Sequence, residues 1–160
     1  MAPGTFYNYF PDKRSILVAI ASDISDACRK RTREARGRAT SVEELVRNGF
    51  HAYFDFIASD RLLFELLRRN VAALRSIGLD ETGFSAGLED LRADVQAAVA
   101  AGHAPAVPLH YLVPAIGALA FEIGAQMVKR DPPDVAGATE FCANLCLHGV
   151  YGLIPQNASE

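Results

Sequence analysis

The chain has 160 residues, room for one hydrophobic core and one ordinary domain. Half of its residues are hydrophobic and 22% are charged, which excludes a disordered chain, and a formal net charge of -3 excludes the basic balance of a free-standing nucleic-acid-binding domain. Three cysteines and no leader-like run at the N-terminus argue against a disulfide scaffold and set the expectation of a cytoplasmic protein.

The first segment in chain order is Gly4-Thr5-Phe6-Tyr7-Asn8-Tyr9-Phe10-Pro11-Asp12-Lys13, followed by the apolar run Ser15-Ile16-Leu17-Val18-Ala19-Ile20. Gly4 permits a backbone that a side chain would obstruct. Phe6 and Phe10 are four apart, so they share one helical face and can be buried together. The hydroxyls of Thr5, Tyr7 and Tyr9 suit phosphate oxygens, contacts that position a protein on DNA without reading sequence. Pro11 stops this helix and Asp12 is a good N-cap for the next. Lys13 then falls in a first turn, where a cation is unfavourable for the helix dipole. A phosphate contact and plain solvation are both open for it.

Helices are expected throughout the rest of the chain. The first runs from Lys13 to Arg36, with Ile16, Leu17, Ile20, Ile24, Ala27 and Cys28 as its apolar stripe and Gly37 as its stop. Ser41 caps the second, whose first turn holds Glu43 and Glu44, and which ends near Asp60. The third covers Arg61 to Ile77. The fourth runs from Thr82 or Gly83 to Ala101, ending at Gly102. The fifth spans Leu109 to Lys129 with Pro114 in its early turns, and the sixth spans Val135 to Leu153 after the connector Asp131-Pro132-Pro133-Asp134. Residues 155–160 read as a polar tail. Tyr111 to Val128 is apolar over nearly a membrane's thickness, but Glu122 lies near its middle, so a core helix at an interface is expected and no membrane span.

The opening ten-residue pattern resembles the end of the DNA-reading helix of TetR/AcrR-family transcriptional regulators and the start of the helix after it. The order and lengths of the later helices resemble that family too. The resemblance implies an all-α fold: residues 1–12 as a remnant of the recognition helix, residues 13–154 as a helical ligand-binding and dimerisation domain, and most of the N-terminal helix-turn-helix head missing. It implies that Thr5, Tyr7, Tyr9 and Lys13 touch DNA. It also implies a homodimer on operator DNA once the head is complete, ligand-controlled repression, and no cofactor. With the head incomplete, tight operator binding is not expected of residues 1–160 alone, and residues 1–10 are expected to be poorly ordered. The alternative is a headless ligand-binding or dimerisation protein that does not itself bind DNA.

Three sets of residues carry the remaining expectations. Helices five and six are too apolar to be covered on one face only and hold many small residues, so a dimer seam is expected at Ile116, Leu119, Ala120, Ile123, Phe141, Leu145 and His148. A pocket for a small hydrophobic or aromatic effector is expected among Phe50, Tyr53, Phe54, Leu67, Phe84, Leu91, Tyr111, Phe121 and Glu122. Any one of these residues could equally fill the core. Glu122 and Gln126, one turn apart, read as polar groups in an apolar helix that need partners: a ligand's polar end, or a residue such as Asn144 or His148 in the next helix or the sister subunit. The basic cluster Arg29-Lys30-Arg31, Arg33, Arg36 and Arg38 reads as a solvated helix end. Cys142, Cys146 and His148 fall short of a structural zinc set, so core packing is the expectation for the cysteines. No phosphate loop or nucleophile–base pair points to an enzyme, and no catalytic or metal-binding residue is assigned.

Overall fold

A computed structural model describes residues 13–72 and 84–149, and within them every regular element is an α-helix. Helix α1 is Lys13–Arg36, α2 Val42–Ser59, α3 Arg61–Arg69, α4 Phe84–Ala100, α5 Leu109–Met127 and α6 Val135–His148.

Local chemistry sets the ends of these helices. Ser41 accepts a hydrogen bond from the Glu44 N–H at 3.1 Å, and Glu44 Oε2 reaches back to the Thr40 N–H and hydroxyl, both at 2.8 Å. These reciprocal bonds satisfy donors that the first turn of α2 would otherwise leave open. Asp60 follows α2 directly and caps α3, accepting from the Leu63 N–H at 2.9 Å. Gly102, at φ +72°, closes α4, and the His103 and Gly102 N–H groups return to the Ala98 and Val99 carbonyls. That double return needs a left-handed residue, which glycine supplies without strain. Asp134 caps α6 through the Gly137 N–H at 2.9 Å.

Two boundaries differ from the sequence expectation. The third helix was expected to be continuous to Ile77, but it stops at Arg69. The Asn70 amide donates to the Leu66 carbonyl at 2.8 Å and its backbone N–H turns to Leu67, so the residue competes with the helix ladder. The sixth helix ends at His148 because Gly149 takes φ +66° and leaves the helical path. Residues 73–83 and 150–160 lie outside the described residues, as do 1–12.

Helix α2 is the centre of the bundle. It packs against α1 on one side and α6 on another, with α5 closing over both α2 and α6. Phe50, Phe54 and Ile57 recur at four and three residues along α2 and are buried, together with Phe64 of α3, Ala125 and Met127 of α5, and Cys142 and Ala143 of α6. The Phe50 and Phe54 rings stack with centroids 5.9 Å apart. Burying each such ring contributes about 2–3 kcal/mol. Gly124 lets α5 approach: a Cβ there would lie 2.5 Å from Ile57 Cδ1. Helix α4 sits apart from this cluster, with α1 and α5 as its main neighbours. Among the described residues, no helix is long and apolar enough to cross a membrane.

Candidate functional site

The expected pocket residues divide between core and surface. Phe50 and Phe54 are buried and fill the centre of the bundle. Tyr53, half-buried, meets the Phe54 ring edge-on at 5.7 Å and lies beside Gly124 of α5. Phe121 tilts onto Phe64 with centroids 5.8 Å apart. Leu67 and Leu91 are half-buried, on α3 and α4 respectively. The side chain of Phe84 lies outside the described residues. Tyr111 is 70% exposed and Glu122 is exposed, so neither lines an internal cavity of the single chain.

The reason is the rotation of α5. Its inward face runs through Val113, Gly117, Gly124 and Val128, and the opposite stripe carries Tyr111, Ala115, Ala118, Glu122 and Gln126 to the surface. Within the single chain Glu122 and Gln126 are therefore exposed. Gln126 accepts from the Lys129 ammonium at 3.0 Å, within its own helix end. The partners suggested for them are placed elsewhere. Asn144 accepts from Arg47 of α2 at 3.2 Å, and the same guanidinium pairs with Glu140 and Glu43, tying α2 to α6. His148 is exposed at the end of α6.

The expected dimer seam also splits. Ile116, Leu119, Ala120 and Ile123 are half-buried and pack against the core of their own chain. Phe141 is 41% exposed, and it shares one face of α6 with Leu145 and His148 at helical spacing. Of the expected DNA contacts, Thr5, Tyr7 and Tyr9 lie outside the described residues. Lys13 begins α1, and its side chain lies outside them too.

The cysteines behave as apolar side chains. Cys142 is fully buried in the core cluster, and burial pushes its thiol up to about 12. Cys28 of α1 is likewise pushed up to about 12 by burial, against the lowering influence of Arg31 and Arg36. Burial raises the Tyr53 phenol as well, with Cys28 adding to it. All three groups are neutral at pH 7. Among the described residues no three His, Cys, Asp or Glu side chains gather in a metal-binding arrangement.

The basic cluster is the largest correction. Arg29 grips Asp90 of α4 through two hydrogen bonds of 2.6 and 3.0 Å. Arg36 is buried, and its Nε meets Asp94 at 2.7 Å. Arg31 lies 3.5 Å from Asp55 and over the Phe56 ring at 5.7 Å. Within the cluster, and among the described residues, Lys30, Arg33 and Arg38 are left as exposed charges without such a bond to another helix. The signal was present in two places: cations at 29, 33 and 36 share a face of α1, and acids at 90 and 94 share a face of α4. Reading each helix alone concealed their complementarity.

An open groove of about 540 Å³ lies beside this joint, lined by Asp26, Arg29, Lys30 and Arg33 among others. A second, about 290 Å³, lies between Arg38 of the α1–α2 link and Asn48 and His51 of α2. Both open at the surface and are lined mainly by residues with charged or polar ends.

No family model and no curated protein matches this chain. Among solved structures it is similar to PfmR, a TetR family transcriptional regulator from Thermus thermophilus. The two share 18% sequence identity and superpose with a TM-score of 0.67 over 94% of this chain and 83% of that one. At that identity the likeness is one of fold, and the chain has an all-α, TetR-like architecture.

Proposed function

We propose that this chain is the effector-binding and dimerisation part of a ligand-responsive transcriptional regulator. In this reading it is a cytoplasmic repressor that holds operator DNA as a homodimer and releases it on binding a small hydrophobic or aromatic molecule. One observation carries the reading: the Gly4–Lys13 pattern runs directly into α1 of a bundle with TetR-like architecture. Thr5, Tyr7, Tyr9 and Lys13 then make the phosphate and base contacts. Phe141, Leu145 and His148 of α6, with the outward stripe of α5, form the seam with a second copy. Ile116, Leu119, Ala120 and Ile123 support that seam from behind. The effector lies beside Tyr53, Leu91 and Phe121, and the neutral Tyr53 and Cys28 groups favour an uncharged one. Ligand and DNA oppose each other because each favours a different placement of α1.

The test is a low-salt gel shift using protein purified from its own chromosomal locus and the DNA flanking its gene. Specific sub-micromolar binding by a dimer, weakened by an apolar compound, is the expected result. A dimer that binds no flanking DNA would sink the DNA-binding reading and leave a ligand-binding or dimerisation protein.

A further inference from the structure

Helix α4 contributes no residue to the described core cluster around Phe54, and neither does α1. What joins these two helices most specifically is charge. Arg29 meets Asp90 in a two-pronged pair, and Asp90 is only 17% exposed. Two turns further along α1, Arg36 meets Asp94; the Arg36 side chain is 7% exposed and its Nη2 is buried without an acceptor. On its other side α4 rests Leu88 against Gly117 of α5, so closely that a Cβ at 117 would lie 2.8 Å from Leu88 Cδ2.

An unmet N–H on a buried cation is costly, and water would satisfy it. Opening the joint also rehydrates two carboxylates and two guanidiniums, which offsets much of the attraction lost. Apolar burial around Phe54 has no such compensation. Beside its apolar contacts, α4 is therefore held to α1 by two ion pairs of small net strength, and the pair with the more exposed cation, Arg29–Asp90, responds more to ionic strength.

We infer that α4 is a gate helix, latched to α1 by Arg29–Asp90 and Arg36–Asp94, which opens as a unit while α2, α5 and α6 stay closed. Leu88, Leu91, Val95, Ala98 and Val99 of α4 are half-buried, yet among the described residues none belongs to the core cluster, and local openings of this kind occur in elements outside it. Arg33 stands between the latch residues on α1 and adds to the field that holds the Asp90 carboxyl down.

Hydrogen exchange read by mass spectrometry tests this on the whole chain. Wild-type protein is compared at low salt and in about 1 M NaCl, where the screening length falls to about 3 Å. Amides of Leu91–Val99 are expected to exchange roughly tenfold faster at high salt, with those of α2 and α6 unchanged. Asp90→Asn and Asp94→Asn are expected to give the same pattern at low salt, and Arg29→Asp combined with Asp90→Arg to restore protection. Salt-insensitive α4 amides overturn the inference, and so does acceleration that runs in parallel through α2 and α6. The wild-type comparison decides the matter even where a variant fails to fold.

Discussion

The packing of α2 against α5 and α6 and the joint between α1 and α4 are held by different physics. The first is a cluster of Phe50, Phe54, Ile57, Met127 and Cys142 with almost no exposed surface. The second places its most specific contacts in two ion pairs, one of them at the rim and one nearly buried. Apolar burial is non-directional and indifferent to charge state, so it fixes a core under many conditions. An ion pair is directional, screened by salt and dependent on protonation, so it fixes a position conditionally. One small bundle thus carries both a permanent joint and a conditional one, and the conditional one involves the helix that follows the Gly4–Lys13 pattern.

The sharpest way to break this comparison is to hollow the permanent joint. Phe54→Ala is expected to cost about 3–5 kcal/mol, read as a fall in the urea midpoint with loss of both joints together. A cost below about 1 kcal/mol would mean that the core is not centred there. Overfilling should be milder. Gly124→Val drives a side chain into Ile57 and is expected to cost about 1–3 kcal/mol, with part recovered by adding Ile57→Ala. Recovery in the double variant is the informative reading, since it ties the cost to that contact.

The conditional joint should respond differently. Asp94→Asn leaves the buried Arg36 charge unmatched, and because Asp94 is 37% exposed the expected cost is discounted to about 1–2 kcal/mol. Replacing both partners, Arg36→Met with Asp94→Leu, should cost less than Asp94→Asn alone. If the double replacement costs more, the pair stabilises the joint by more than a mutual cancellation of desolvation. The smallest effect concerns pH. The hydrogen bond from Arg29 holds the Asp90 carboxyl below the usual carboxylate range, with the charges of Arg29, Arg33 and Arg36 adding to it against desolvation. Its contribution is therefore complete above the unfolded value of about 3.9, and is lost as the pH falls through the lower folded value. Stability measured from pH 6 downward should decline more steeply below about pH 4 in the wild type than in Asp90→Asn. Equal slopes would mean that Asp90 is not coupled to folding.

Much of the fold was legible because its signals are local. Ser41 with Glu44, and Gly102, act within one or two turns, and the structure uses each as the sequence suggests. Asn70 was missed because its side chain competes with a backbone carbonyl, a contest that propensity alone does not settle. The outward turn of Glu122 and Tyr111 was missed for another reason. Helix α5 is apolar nearly all round, so its sequence fits several rotations equally well and gives no unique inner face.

The sequence by itself determined that the described residues are helical and where most of those helices end. These depend on hydrogen bonds and periodicity within a few residues. Only the tertiary structure decided which face of α5 is buried, and that Arg29 and Arg36 answer Asp90 and Asp94. Those partners lie about sixty positions apart in the chain, at separations of 61 and 58. No local rule ranks such pairings, because they form only after the packing of whole helices has brought the two rows of charge together.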